Sequence, residues 1–218
     1  MSYDAGEVAS LKETYSEIWG DIEKTLSGFR RIWDSDDEEA ALHELLFCIL
    51  TPQSKAQVCW GAVEDMACGD ILLKGNYEEV LDAVSNVRFK YKKAGYLIEA
   101  RERFYEGERI RLLDFLRDFE DVPSARDWIV RNIKGLGYKE ASHFLRNIGL
   151  GDELTILDRH ILRTLIRAKV IGGMPSSFGG KKYLEIEEKM KGFADKIDIP
   201  VSHLDIVIWY RSTGSIFK

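Results

Sequence analysis

Between residues 7 and 213 the apolar side chains recur at three- and four-residue intervals, and no stretch alternates from one residue to the next. That spacing suits helices and gives a sheet nothing to build on. Segments 7–19 and 21–33 each carry the pattern. The run Asp34-Ser35-Asp36-Asp37-Glu38-Glu39 reads as a solvated turn, with Ser35 or Asp36 placed to cap the next helix. Residues 38–50 then hold Leu42, Leu45, Leu46, Phe47, Ile49 and Leu50, apolar nearly all round, which predicts a central buried helix.

Thr51-Pro52-Gln53 breaks the pattern and 54–66 resumes it. Shorter helices are expected over 77–84, 92–104 and 110–119. Pro123 breaks the preceding segment, and Ser124 is placed to cap a helix over 125–133. A helix over 139–148 ends with Gly149 as its C′ residue. Asp158 opens another through 168, a loop with Pro175 fills 172–180, and helices over 183–193 and 201–213 close the chain. Strand-hairpin signals, fixed-period repeats and low-complexity segments are absent from the sequence. The expectation is an all-α fold of two helical lobes with a groove between them. One lobe is expected over roughly 35–125 and the other over 126–218, with the N-terminal helices packing on the latter.

With 218 residues, 45% of them hydrophobic, the chain can fill a core. No apolar run approaches twenty residues and no basic segment leads into an apolar one, so neither a membrane span nor a signal peptide is read. A soluble intracellular protein of the cytoplasm is expected. Cys48, Cys59 and Cys68 are odd in number and not in CxxC spacing, which fits free thiols better than a disulfide framework or an iron–sulfur site. His43, His143, His160 and His203 are scattered, and no metal site is expected.

A net charge of −6 argues at first against a nucleic-acid partner. The charge is uneven, however. Residues 1–86 carry 6 Lys and Arg against 18 Asp and Glu, whereas residues 87–218 carry 25 against 19. The basic part contains Ile133-Lys134-Gly135-Leu136-Gly137-Tyr138-Lys139, a G-x-G turn between two helical segments. Such a turn can present backbone N–H groups of Gly135, Leu136, Gly137 and Tyr138 to a phosphate.

Lys139 falls where the second of those helices begins, and Asp158 where the next begins. A first-turn cation is disfavoured by the helix dipole, by about 0.3–1 kcal/mol at an exposed site. The bland reading of Lys139 is a surface lysine, and that of Asp158 an N-cap. Together they could act on the sugar beside a held phosphate, the amine as nucleophile and the carboxylate as partner of a developing cation.

The combination resembles the helix-hairpin-helix DNA glycosylases. More narrowly, Gly135-Leu136-Gly137-Tyr138-Lys139-Glu140-Ala141-Ser142-His143-Phe144-Leu145-Arg146-Asn147 with Leu157-Asp158-Arg159-His160-Ile161 is similar to the archaeal-type second family of 8-oxoguanine DNA glycosylase/AP lyases. Thr51-Pro52-Gln53-Ser54-Lys55-Ala56, Val87-Arg88-Phe89, Lys93-Ala94 and the ending Trp209-Tyr210-Arg211-Ser212-Thr213-Gly214 to Phe217-Lys218 match as well. The resemblance covers roughly residues 35–218.

The resemblance implies a monomeric bifunctional enzyme of base-excision repair, acting on double-stranded DNA that contains 8-oxoguanine or an abasic site. Lys139 matches the Schiff-base nucleophile and Asp158 the catalytic aspartate. The damaged nucleotide is expected to be flipped into a pocket between the lobes. Lys218, Phe89 and Trp209 match positions that recognise or stack on the oxidised base. Asp205, four residues before Trp209, is a candidate acceptor for the base edge, and Gln53 a candidate for filling the space left by the flipped nucleotide or contacting the opposite base. Arg88, Lys90, Lys92 and Lys93 form a basic run that could meet phosphates. No cofactor is implied, although the loop carbonyls of related hairpins can hold a monovalent cation. The same lysine chemistry on an oxidised pyrimidine, and a non-catalytic helix-hairpin-helix DNA-binding module, are the alternatives.

Overall fold

The computed structural model describes residues 3–107, 109–176 and 178–218. The fold is all-α, with twelve helices and a single two-residue β pair among the described residues. No helix among them is long and apolar enough to cross a membrane. The chain forms two compact units, one of residues 31–148 and one of residues up to Arg30 together with 149–218. The expected boundary near residue 125 would have parted the G-x-G hairpin from α2 (Glu38–Leu50). Instead the hairpin helices, α8 (Val122–Asn132) and α9 (Tyr138–Asn147), fall in the 31–148 unit, where α9 packs on both α2 and α8.

In the 31–148 unit α2 is the hub. It buries Ala41, Leu42 and every residue from Glu44 to Leu50, and packs on α3 (Ala56–Cys68), α6 (Lys90–Phe104), α7 (Leu112–Arg117) and α9. Full burial of each Leu, Ile or Phe contributes about 1.5–3 kcal/mol, so this helix carries much of the unit's stability. Its N-cap is Asp37, which accepts from the Ala40 N–H at 3.0 Å, rather than Ser35 or Asp36. Asp36 is unsuited because its backbone is left-handed, φ +59°. Glu38 serves a different helix, its carboxylate accepting from the N–H groups of Leu113 and Asp114 and capping α7 from outside. Small helices α4 (Ile71–Lys74) and α5 (Tyr77–Ala83) fill the space beside α3 and α6. The β pair, Tyr105–Glu106 with Arg109–Ile110, is too short to leave an alternating pattern in the sequence.

Pro123 lies inside α8 rather than ahead of it. It sits in the helix's first turn, where a missing N–H costs nothing, and Asp121 is the cap, accepting from Ser124 at 2.7 Å. Below α9, the Asn147 amide donates to Glu44 at 2.8 Å and accepts from Arg146, a buried polar link between α9 and α2.

In the other unit the two expected N-terminal segments are one helix, α1 (Ala5–Asp34). Gly20 does not stop it, although a mid-helix glycine costs about 1 kcal/mol relative to alanine. The buried stripe Leu11, Ile18, Ile22, Leu26 and Phe29 runs past that glycine in register. The remaining helices are α10 (Arg159–Arg167), α11 (Gly180–Lys196) and α12 (Val201–Thr213), with α12 packed on both α10 and α11. Gly149 is the expected C′ residue, φ +91°, and a Cβ there would lie 2.6 Å from the Arg30 Cα.

Candidate active site

The hairpin is built from two glycines with different duties. Gly135 has φ +90°, and a Cβ on it would meet the Tyr96 ring at 2.9 Å. Leu136 is buried, so the turn is anchored by its side chain while its neighbours Gly135 and Gly137 are exposed. Gly137 is the N-cap of α9 in ordinary extended backbone, φ −96°. Having no side chain, it cannot occupy the leading amides of the helix, and those N–H groups remain available to an anion. Glu140 reaches back to the Gly137 N–H at 3.3 Å. Tyr138 latches the second helix to the first: its hydroxyl donates to Asp127 at 2.8 Å and its ring lies against the Arg126 guanidinium.

Lys139 is the second residue of α9, its side chain 28% exposed and its Nζ 3.7 Å from Glu140 Oε1. Beneath it are two buried thiols. Burial, reinforced by Glu44, pushes Cys48 well up while the Lys139 charge draws it down. Cys59 is likewise raised by burial and held back by Lys93 and Lys139. Both thiols are therefore protonated and inert at neutral pH.

Gln53 and Phe89 lie in the same unit, on two turns. Gln53 is exposed with φ +58°; Phe89 is 50% exposed with φ +62° and carries the Arg88 guanidinium over its ring. Of the basic run, Arg88 and Lys92 are exposed and Lys90 is half-buried. Lys93 is buried, which corrects its reading as a phosphate contact: its amine donates inward to Leu50, Pro52 and Ser54.

Asp158 belongs to the other unit, where it is the N-cap of α10. Its Oδ1 accepts both the His160 and Ile161 N–H groups, at 2.7 and 2.8 Å, and Oδ2 takes no part in the cap. The segment leading to it is pinned from α11. Glu187 accepts from the Thr155 N–H and hydroxyl, at 3.0 and 3.1 Å, while the Tyr183 hydroxyl donates to the Thr155 carbonyl and accepts from the Leu157 N–H. The sequence singles out neither Tyr183 nor Glu187. The local signal they leave is a Glu four residues after a Tyr on the same helical stripe as Ile186 and Met190.

In this same unit the His160 and Trp209 rings meet edge to face at 5.5 Å, so Trp209 neighbours the first turn of α10. Its indole N–H is buried without a hydrogen-bond partner among the described residues. Asp205 is buried one turn earlier on α12, and Lys218 is half-buried beyond the left-handed Gly214 that ends that helix.

Residues 22–199 match the family model for 8-oxoguanine DNA glycosylase. The 8-oxoguanine DNA glycosylase/AP lyase of Fusobacterium nucleatum is 42% identical over 208 residues, covering 95% of this chain and 96% of that one. The enzyme of the same name from Methanocaldococcus jannaschii is 40% identical, covering 93% and 94%. The crystal structure of the M. jannaschii protein superposes with a TM-score of 0.86 at 37% identity, over 97% of this chain and 95% of that one. Its complex with a 15mer DNA containing 8-oxoguanine gives 0.85 at 35% identity, over 97% and 99%. With the family model matching residues 22–199 and a relative 42% identical along nearly the whole of both chains, the chain belongs to the 8-oxoguanine DNA glycosylase family.

Proposed function

We propose that this protein is a bifunctional DNA repair enzyme that excises 8-oxoguanine and then cleaves the resulting abasic site. The observation that carries the reading is Lys139 in the first turn of a helix whose N-terminus is left open by Gly137. A backbone phosphate bound at those amides sets the attached sugar beside the amine. The neutral amine attacks C1′; the bond from C1′ to the base breaks and the base leaves with the electron pair and takes up a proton. Asp158, through Oδ2, stabilises the positive charge that builds on the sugar. Loss of a proton from nitrogen and opening of the sugar yield the imine between Lys139 and C1′. Removal of a C2′ proton then expels the 3′ phosphate by β-elimination.

Trp209, Phe89, Asp205 and Lys218 are assigned to the oxidised base, Trp209 offering both a ring face and an unused N–H. Gln53 is assigned to the space the nucleotide leaves. The route runs through an amine and requires no redox cofactor or catalytic metal; a monovalent cation on the hairpin carbonyls would add to phosphate binding alone. The partner is double-stranded DNA carrying 8-oxoguanine or an abasic site, met by a monomer inside the cell.

Borohydride trapping on an 8-oxoguanine duplex tests this. Wild type should form a covalent adduct and Lys139→Gln none. An adduct that persists in Lys139→Gln, or no adduct in wild type, overturns the mechanism. The second result is what a non-catalytic DNA-binding module would give, and trapping only on an oxidised-pyrimidine duplex would reassign the base.

A further inference from the structure

The Gln53 and Phe89 turns hang on one buried cation. Both residues hold left-handed backbone, φ +58° and +62°, a region unfavourable to any side chain with a Cβ. Such conformations persist only where the surroundings over-determine them. Here the Lys93 ammonium, on a residue only 4% exposed, donates to the Leu50 carbonyl at 2.6 Å, the Pro52 carbonyl at 2.8 Å and the Ser54 hydroxyl at 3.2 Å. Those are all the protons an ammonium has. The Ser54 hydroxyl also accepts from the backbone N–H of Arg88 at 3.1 Å, the residue before Phe89. One hydroxyl joins the two turns, and one amine holds the hydroxyl and both ends of the Gln53 turn.

The arrangement is costly as packing. Burial pushes the Lys93 amine down, and its three acceptors are neutral oxygens. An apolar side chain of similar length would avoid desolvating a charge but leave the Pro52 carbonyl and the Ser54 hydroxyl without this donor, and the backbone of the turn without its tie. What the amine adds is a fixed backbone beneath two exposed side chains. The Lys93 and Lys139 charges both act on the buried Cys59 thiol, so this element and the hairpin lysine share one region of the unit.

We propose that Lys93 is a positioning residue for nucleotide extrusion, locking the Gln53 and Phe89 turns into a single two-pronged element that holds the vacated stack open and meets the displaced base. The proposal rests on the base-flipping reading above. Lys93 touches no reacting atom, so its loss should fall on extrusion and spare the lyase chemistry of Lys139.

Lys93→Met keeps the aliphatic length and removes the donors. Single-turnover excision from an 8-oxoguanine duplex should fall by about tenfold or more. On a duplex with a preformed abasic site there is no base to unstack, and cleavage and borohydride trapping should change less than about threefold. A 2-aminopurine placed beside the lesion should lose most of its fluorescence rise on binding. Ser54→Ala cuts only the bridge between the turns and should shift the same readouts the same way by a smaller factor, which keeps the test standing should Lys93→Met not fold. Equal loss on the two duplexes in Ser54→Ala, or an aminopurine signal unchanged in that variant, overturns the proposal. Wild type that neither excises nor traps would instead defeat the glycosylase reading itself.

Discussion

Asp158 caps its helix with one oxygen and leaves the other for the catalytic role proposed above. Oδ1 satisfies two leading amides of α10, and Oδ2 stays outside the cap. The capping explanation of this residue and the catalytic one are therefore compatible, and substitution can separate them. Asp158→Asn retains an oxygen for the cap, so chemical denaturation should show a change within about 0.5 kcal/mol, while excision falls by roughly 10²–10³. Asp158→Ala should lose the activity and about 1 kcal/mol of stability besides. Normal excision by the Asn variant would leave Asp158 as a cap alone. At this scale the sequence is most legible where a residue acts locally. Lys139 at a helix start and Asp158 at a cap position follow from neighbours a few residues away. Lys93 is misread from sequence because a lysine in a basic run looks solvated until the carbonyls that receive it, more than forty residues earlier in the chain, are brought against it.

Elements behave similarly. The helix over Glu38–Leu50 and the one over Val201–Thr213 have the ends that their apolar spacing marks. The caps at Asp37 and Asp121 lie one to three residues from where the sequence puts them, since several adjacent Asp and Ser side chains compete and only backbone angle decides between them. The G-x-G motif treats its glycines alike, but the fold does not. Gly135→Ala places a Cβ at φ +90° and 2.9 Å from the Tyr96 ring. It should lower stability by about 1–3 kcal/mol and disorder the hairpin. Gly137 has ordinary backbone angles, and a Cβ would meet only the movable Glu140 carboxylate at 3.3 Å. Gly137→Ala should leave the melting midpoint nearly unchanged, with stability within about 0.5 kcal/mol, and weaken DNA binding by crowding the phosphate. If both alanine variants melt alike, the asymmetry is wrong.

For the molecule as a whole, a buried histidine links folding to pH. His203 lies beneath α1, its Nδ1 3.1 Å from the Tyr15 hydroxyl and its Nε2 3.4 Å from Glu23. Burial pushes its affinity for a proton down, against the pull of Glu23 and Asp152 and with the push of Arg30. The unfolded chain therefore takes up this proton first as pH falls through about 6.5. Stability attributable to His203 is complete above that pH, declines below it, and levels off once the folded state is protonated too. Melting between pH 7.5 and 5 should show a drop in wild type that is reduced in His203→Gln. Identical slopes would remove His203 from the account. The carboxylates held low by their partners, Glu7 beside Arg167 and Arg211 among them, lose their contribution only at more acid pH, so the two effects are separable.

What the sequence alone determined was the helical class, the order of the longer helices, the open glycine hairpin and the helix-start positions of Lys139 and Asp158, because each of these depends on periodicity or on a turn a few residues long. Tertiary structure decided the rest: that Gly20 does not divide α1, that the hairpin belongs with α2, that Lys93 ties two turns, and that Tyr183 and Glu187 carry the segment in front of Asp158. The first two turn on which apolar faces pack together, and the last two on which distant polar group meets which backbone atom once water has been excluded. A buried donor must find an acceptor, and the identity of that acceptor is settled by packing rather than by spacing along the chain.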